Sequence, residues 1–467
     1  MLPFVSMIGW LALLCYNMVL PMTMPRSSRA FSMFSGSNSI GRNKFITALR
    51  KTKLPHVEEE SCGFTTLTNM ERIYILSDLH TDHVRNMEWL QQRCASSNSS
   101  SAAPGPNDAL IIAGDISHDL VTFENTIVLL QNNLKCSIFF VPGNHEAWMD
   151  NNNNNNTSFY HDNSISKLNA VIELCQKMGV YTTHCLVGTN KKYPLWIVPI
   201  HSWYDGSLML QDCEDFIRDF PSWPWVDFIR CQWPAEHMRI GTDSTDDTTY
   251  LHRKFPKQSL VQMFLQQNEG ALQDVAKFQE VNHDNKVAGL VTFSHFLSNQ
   301  QSLPDWKDLR EERGFQRQWL DHPGPGISAK FALVAGSARI DEQIRTLQQQ
   351  PNNNEHIHVL GHSHRPKDFC YKGIRYIHHP LGKPQEREMQ MISPNVDFKC
   401  IWDTSSGSVP SSQILRYWEE QGGGLSALTS FMKTRRKKTQ SAGSIVIGTT
   451  TVDSGYQNNS SVISSRR

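Results

Sequence analysis

Five short runs of apolar and β-branched residues stand out along the chain, and each stops at a polar residue able to bind metal. Arg72-Ile73-Tyr74-Ile75-Leu76-Ser77 stops at Asp78, with His80 two residues on. Ala109-Leu110-Ile111-Ile112-Ala113 stops at Gly114-Asp115, and Ser137-Ile138-Phe139-Phe140-Val141-Pro142 at Gly143-Asn144-His145-Glu146. Leu290-Val291-Thr292-Phe293 stops at Ser294-His295, and His356-Ile357-His358-Val359-Leu360 at Gly361-His362-Ser363-His364. Runs of this length, bounded by Gly or Pro, predict buried strands. Loops at one end of a sheet are where a rigid scaffold presents reactive groups, and a glycine before such a group lets the backbone turn sharply.

Other stretches carry no core-forming pattern. Ser96 to Pro106 reads as a Ser/Ala/Pro loop, and Asn151 to Asn156 is an asparagine run. Gly422 to Gly424 opens a polar tail, 422–467, that contains Lys433, Arg435, Arg436, Lys437 and Lys438 and is expected to be disordered. That cluster reads first as a solvated charge run, and second as a contact for RNA or a membrane surface. The start of the chain differs again. Leu2 to Met22 is uncharged, as a signal h-region or membrane anchor is, and seven basic residues precede the first acidic one, Glu58. Residues 1–56 therefore read as a presequence. A hydrophobic segment followed by a basic, Ser-rich one resembles the bipartite presequences of algae with complex plastids, with Ala30-Phe31 at the cleavage region. This implies a plastid location and an N-terminal membrane contact before processing. A simple secretory signal or membrane anchor is the alternative.

What remains, about residues 68–404 of the 467, is one folded domain. An apolar share of 39% suffices for a sizeable core, and Lys+Arg and Asp+Glu balance at 45 each. That balance provides no global field for nucleic acid or anionic membrane. The ten cysteines are scattered with no C-x-x-C pair, so neither a zinc ribbon nor a thioredoxin-like motif is present. Their usage fits a reducing compartment better than a disulfide scaffold.

Singly, Asp78 reads as a turn or N-cap residue, Asn144 as a turn residue, and a histidine in a β-run as core or surface. Together they form a set of carboxylate oxygen, amide oxygen and imidazole nitrogen, which suits Mn²⁺, Fe²⁺ or Zn²⁺. The succession D-x-H, G-D, G-N-H-E, a later His and G-H-x-H, from Asp78 to His364, resembles the signature of the calcineurin-like metallophosphoesterase family. The resemblance implies an α/β fold of two packed β-sheets flanked by helices, a four-layer sandwich. It implies two divalent metal ions, the first held by Asp78, His80 and His364 and the second by Asn144, His295 and His362, with Asp115 bridging them. His145 would contact phosphate oxygen or protonate the leaving group. Two ions about 3.5–4 Å apart clamp the attacking and leaving oxygens at phosphorus. The implied reaction is hydrolysis of a phosphate mono- or diester by in-line attack of a metal-bridging hydroxide.

Departures from the pattern narrow the reading. Ser294 stands where many relatives have Gly. His118, three residues past Asp115, replaces the Tyr ligand of purple acid phosphatases. Pro142 and Ile116 to Asp119 lack the Arg and the Asp-Arg-Gly of the Ser/Thr protein phosphatases. Between 201 and 288 lies an insertion with Trp203, Trp223, Trp225 and Trp233, and Pro384 to Met389 follows the last ligands. This arrangement looks most like an uncharacterised plant and algal branch of the family. The insertion reads either as a lid over the substrate or as a packed appendage, with most of its tryptophans in the core. Arg365, next to His364, is a candidate for forking onto phosphate. Two alternatives stand beside the enzyme: a non-catalytic scaffold on the same fold, which ligand loss would mark, and a nucleic-acid phosphodiesterase, which would need a basic groove.

Overall fold

The structure is a computed structural model that describes residues 64–96, 103–149, 161–237, 258–281, 287–306, 325–349, 355–420 and Ser430. Residues 1–56, the asparagine run and, Ser430 apart, the 422–467 tail lie outside the described residues.

All five apolar runs are strands. The chain contributes β1 (Thr65–Leu67), β2 (Arg72–Leu76), β3 (Ala109–Ala113), β4 (Ser137–Val141), β5 (Cys185–Val187), β6 (Leu195–Pro199), β7 (Gly289–Phe293), β8 (Glu355–Leu360), β9 (Lys367–Tyr371), β10 (Ile374–His378), β11 (Lys399–Asp403) and β12 (Gly407–Ser408). They form a five-stranded sheet, β12-β11-β2-β3-β4, and a seven-stranded sheet, β1-β5-β6-β7-β8-β10-β9. Each contains a run of parallel strands: β2, β3 and β4 in one, and β6, β7, β8 and β10 in the other. Strands buried on both faces need no polar alternation, which explains why the runs are continuously apolar.

Side-chain alternation divides the apolar residues among three cores. Ile73, Ile75, Ile111, Phe139 and Val141 of the first sheet meet Ile197, Val291, Phe293, Ile357 and Val359 of the second. On the far side of the first sheet, Leu76, Ile112 and Phe140 pack on Leu90, Phe123, Ile127 and Val171 of helices Val84–Ser96, Leu120–Leu134 and Ser164–Lys177. Trp196, Val198 and Tyr376 of the second sheet pack outward on helices Gln258–Val281, Pro325–Val334 and Ala338–Thr346. Helix, sheet, sheet, helix is the four-layer α/β sandwich expected from the sequence.

Residues 201–288 have a definite topological role. Strands β6 and β7 are parallel neighbours, so the chain between them must cross back over the sheet, which takes a dozen or more residues and usually a helix. The Gln258–Val281 helix provides that crossover, and the Trp-rich segment elaborates it. Trp203 is fully buried, and Trp223, Trp225 and Trp233 pack partly buried on the same core. The described fold also passes Thr404, where Asp368 and Ile414 exchange backbone hydrogen bonds. All eight cysteines among the described residues are free thiols. No described helix is long and apolar enough to cross a membrane.

Candidate metal centre

The turns that follow β2, β3, β4, β7 and β8 meet at one edge, where the two sheets touch. The contact is direct: Leu381 and Gly382, just past β10, donate backbone hydrogen bonds to Ser77 O and Asp78 O. The turns are sharp. Asp78, His80, Asp115, His362 and His364 all have positive φ, between 43° and 72°, a region non-glycine residues rarely occupy. Gly114 and Gly143 permit the closest approaches, since a Cβ at Gly114 would lie 2.4 Å from His295 Nδ1 and one at Gly143 2.2 Å from Asp115 Oδ1.

The candidate ligands fall into two groups around Asp115. In the first, ligand atoms of Asp78, His80, Asp115 and His364 all lie within 4.8 Å of one another. His80 Nε2 is 2.8 Å from His364 Nε2, which is itself 3.5 Å from Asp78 Oδ1. In the second, Asn144 Oδ1 is 3.0 Å from both His295 Nε2 and His362 Nδ1. Asp115 reaches both groups, with Oδ2 3.8 Å from His80 Nε2 and Oδ1 3.5 Å from His295 Nε2.

The hydrogen bonds at the back of these histidines show which atoms face inward. His295 Nδ1 donates to Ala113 O and His362 Nε2 to Val334 O. Burial drives His362 well below the ordinary imidazole value and His295 down to about 4, so both rings are neutral. The second nitrogen of each is therefore a lone pair aimed at the Asn144 oxygen. His364 is oriented alike, with Nδ1 on the Glu386 carboxylate and Nε2 on the site, but against the effect of burial Glu386 and Asp78 raise its pKa to about 9, so its ring carries a proton that a metal ion would displace. Around Asn144, lone pairs of His295, His362 and the amide oxygen converge without a proton between them and repel unless a cation lies among them. Burial, followed by Glu146 and Asp78, likewise pushes Asp115 well above the usual carboxylate range, a cost that a divalent cation relieves. The residues present fit a metal centre, and the structure brings together Asp78, His80, Asp115, Asn144, His295, His362 and His364, the candidate ligands of the sequence.

Groups that the sequence reading missed hold the ligands in place. Glu146 is wholly buried and accepts backbone N–H bonds from Asp115, Ile116, Ser117 and Gly143, tying the β3 turn to the β4 turn. Ser77 Oγ and His378 Nε2 fix Asp78 Oδ2 at 2.5 and 3.1 Å. Asp227, from the elaborated crossover, accepts from Asn144 Nδ2 at 2.8 Å. Only Glu146 had a sequence signal, through its place in G-N-H-E. Asp227 lies 83 residues from Asn144 and had none. Ser294 earns its place too, since its Oγ donates to Phe296 O and contacts His358 Nε2.

His145 lies beside the first group, with its ring 4.5 Å from that of His80 and 3.6 Å from that of Trp148. Burial, then His80, drives its pKa well below the ordinary value. His118 pairs with Asp82 at 3.2 Å, and the two join His145 in a second, partly exposed cluster. Arg365 donates to Glu386 Oε1 at 3.2 Å and to its neighbour's carbonyl, so it buttresses the carboxylate that orients His364.

Residues 71–238 match the family model of the calcineurin-like phosphoesterases. The chain is 29% identical over 149 residues to an acyl-carrier-protein phosphodiesterase, PptH, of Mycobacterium tuberculosis. That match spans 32% of this chain and 42% of the relative's length. A crystal structure of phosphopantetheinyl hydrolase (PptH) from M. tuberculosis overlays 74% of this chain and 100% of its own at TM-score 0.45 and 19% identity. An Aquifex aeolicus protein of unknown function overlays 41% of this chain and 98% of its own at TM-score 0.17 and 12% identity.

Proposed function

This chain belongs to the calcineurin-like phosphoesterase superfamily, and we propose that it is a binuclear metal-dependent hydrolase of phosphate esters. The observation that carries the proposal is the convergence of two groups of ligand atoms on either side of one carboxylate, with unprotonated nitrogens of His295 and His362 turned to the same Asn144 oxygen in the second. When bound, the two ions would polarise phosphate oxygen and supply hydroxide at neutral pH by lowering the pKa of water from 15.7 to about 7.

The chain's own residues then have separable tasks. Asp78, His80 and His364 would hold one ion, Asn144, His295 and His362 the other, and Asp115 would serve both. His145, set at the edge of the centre by Trp148, meets the phosphate or the leaving oxygen. Its ring is neutral at pH 7, because burial disfavours the charged form. The negative charge of a bound phosphate is what would raise its affinity for a proton. Mn²⁺, Fe²⁺ and Zn²⁺ all suit the nitrogen and oxygen donors. The matched M. tuberculosis relative is named as a phosphodiesterase, which puts diesters beside monoesters among the substrates to try.

The test is reconstitution of purified protein with Mn²⁺ or Zn²⁺. Elemental analysis should find about two ions per chain, and aryl phosphate mono- and diesters should be hydrolysed until a chelator strips the metal. Absence of bound metal after reconstitution overturns the proposal.

A further inference from the structure

The Trp-rich crossover brings a carboxylate to the back of the second ligand group. Asp227, the first residue of the short helix Asp227–Arg230, is 2% exposed. Its Oδ1 accepts from Asn144 Nδ2 at 2.8 Å and from Trp148 Nε1 at 2.6 Å, and its Oδ2 accepts from Trp225 Nε1 at 2.9 Å. Tyr204 adds a further side-chain hydrogen bond. Two of these four donors, Trp225 and Tyr204, belong to the crossover, and the other two belong to the β4 turn that carries Asn144.

An asparagine side chain has nearly the same shape with its amide turned either way, so packing alone does not decide whether oxygen or nitrogen faces forward. Only the oxygen can be a metal ligand. Both oxygens of Asp227 are already acceptors of indole N–H bonds, and the group of Asn144 that faces Oδ1 is the NH₂, which leaves Asn144 Oδ1 facing His295 and His362. The carboxylate cannot rotate away, because indole N–H groups only donate and two of them grip it from different sides. The same corner reaches other parts of the centre. The Trp225 ring stands edge-on to His362 at 6.0 Å, and the Trp148 ring lies 3.6 Å from that of His145, tilted by 30°.

We infer that Asp227 is a positioning residue of the second metal site: it holds the Asn144 amide with its oxygen toward the ion, and so makes occupancy of that site depend on the crossover. This rests on the binuclear reading above. An Asp227 that merely pinned the crossover to the β4 turn would leave metal binding untouched in any variant that folds.

The experiment exchanges the two side chains and counts metal. In D227N the neighbour gains an NH₂, the Asn144 amide is free to turn over, and affinity at the second site should fall by about 10–100-fold, the range for outer-shell partners of metal ligands. Mn²⁺ titration of the metal-stripped protein should then show one tight and one weak site where the wild type shows two tight ones. In the double variant N144D/D227N, Asp at 144 presents one oxygen forward and accepts from the new amide with the other, so two tight sites should return. Unchanged affinity in D227N overturns the inference, as does a double variant no better than D227N. Should D227N alone fail to fold, the double variant decides: two tight sites sustain the inference, fewer overturn it. A wild type with a single site overturns the binuclear reading itself and this inference with it, whereas failure in the variants alone leaves that reading standing.

Discussion

Asp78, His80, Asp115, His362 and His364 share a left-handed backbone conformation that costs non-glycine residues on the order of 1–3 kcal/mol each. Such positions persist only where their surroundings hold them, and here Glu146, His378, Glu386 and the junction at Gly382 do so. Gly114 shows how little room is left. Its φ of +80° disfavours any side chain, and an added Cβ would meet His295 Nδ1 at 2.4 Å and Gly143 N at 2.9 Å. Gly114→Ala should therefore displace His295, weaken the second metal site and lower the melting temperature, while Mn²⁺ titration still finds the first site. At the ligands themselves, Asp115→Asn removes the charge shared by both groups and should impair binding of both ions, read by elemental analysis. His145→Ala should keep both ions yet slow turnover by about 10²–10⁴-fold, the range for a positioned acid or base. Loss of both ions in H145A would show it to be a ligand instead.

Strands β7 and β8 contain a second histidine system behind the centre. Thr292 Oγ1 lies 2.9 Å from both His356 Nε2 and His358 Nδ1, in the buried middle of the seven-stranded sheet. Burial holds His356 and His358 down to about 3, and His201 and His379 down to about 4, from an ordinary value of 6.5. A folded value below the unfolded one means that the unfolded chain takes up these protons first as the pH falls. Stability from these four groups is complete above pH 6.5 and is lost progressively as the pH drops toward 4 and then 3. The melting temperature should fall steeply across that window, and His356→Gln should make the fall shallower by removing one of the titrating groups. An identical slope in the variant would show that His356 takes up no proton on unfolding.

At the scale of the molecule, the crossover from β6 to β7 serves the fold and the centre at once. Leu208, Leu210, Ile217 and Phe220 are buried in the core outside the seven-stranded sheet, and each large apolar side chain so buried contributes about 1.5–3 kcal/mol. Excising residues 207–257 while keeping the Gln258–Val281 helix would strip that cover from the sheet and remove Asp227. The expected result is a lower melting temperature, increased binding of a dye for exposed apolar surface, and a weakened second metal site. A truncated protein that melts like the full chain would instead make the segment a detachable lid.

The residue order alone determined the strands and the places of the candidate ligands. Continuous apolar runs demand burial on both faces, and a ligand-type residue directly after a strand is fixed at the sheet edge by chain connectivity, so Asp78, Asp115, Asn144, His295, His362 and His364 were legible from local pattern. What sequence could not determine depends on contacts between distant segments. That β6 and β7 are neighbours, and hence that the Trp-rich stretch is a crossover, follows only from strand pairing. Asp227 looks like any surface aspartate until folding places it against Asn144, and Arg365 looks like a free cation until Glu386 is found beside it. A hydrogen bond between residues far apart in the chain leaves no periodicity, because its partners are selected by the packing of whole layers, and that packing exists only in three dimensions.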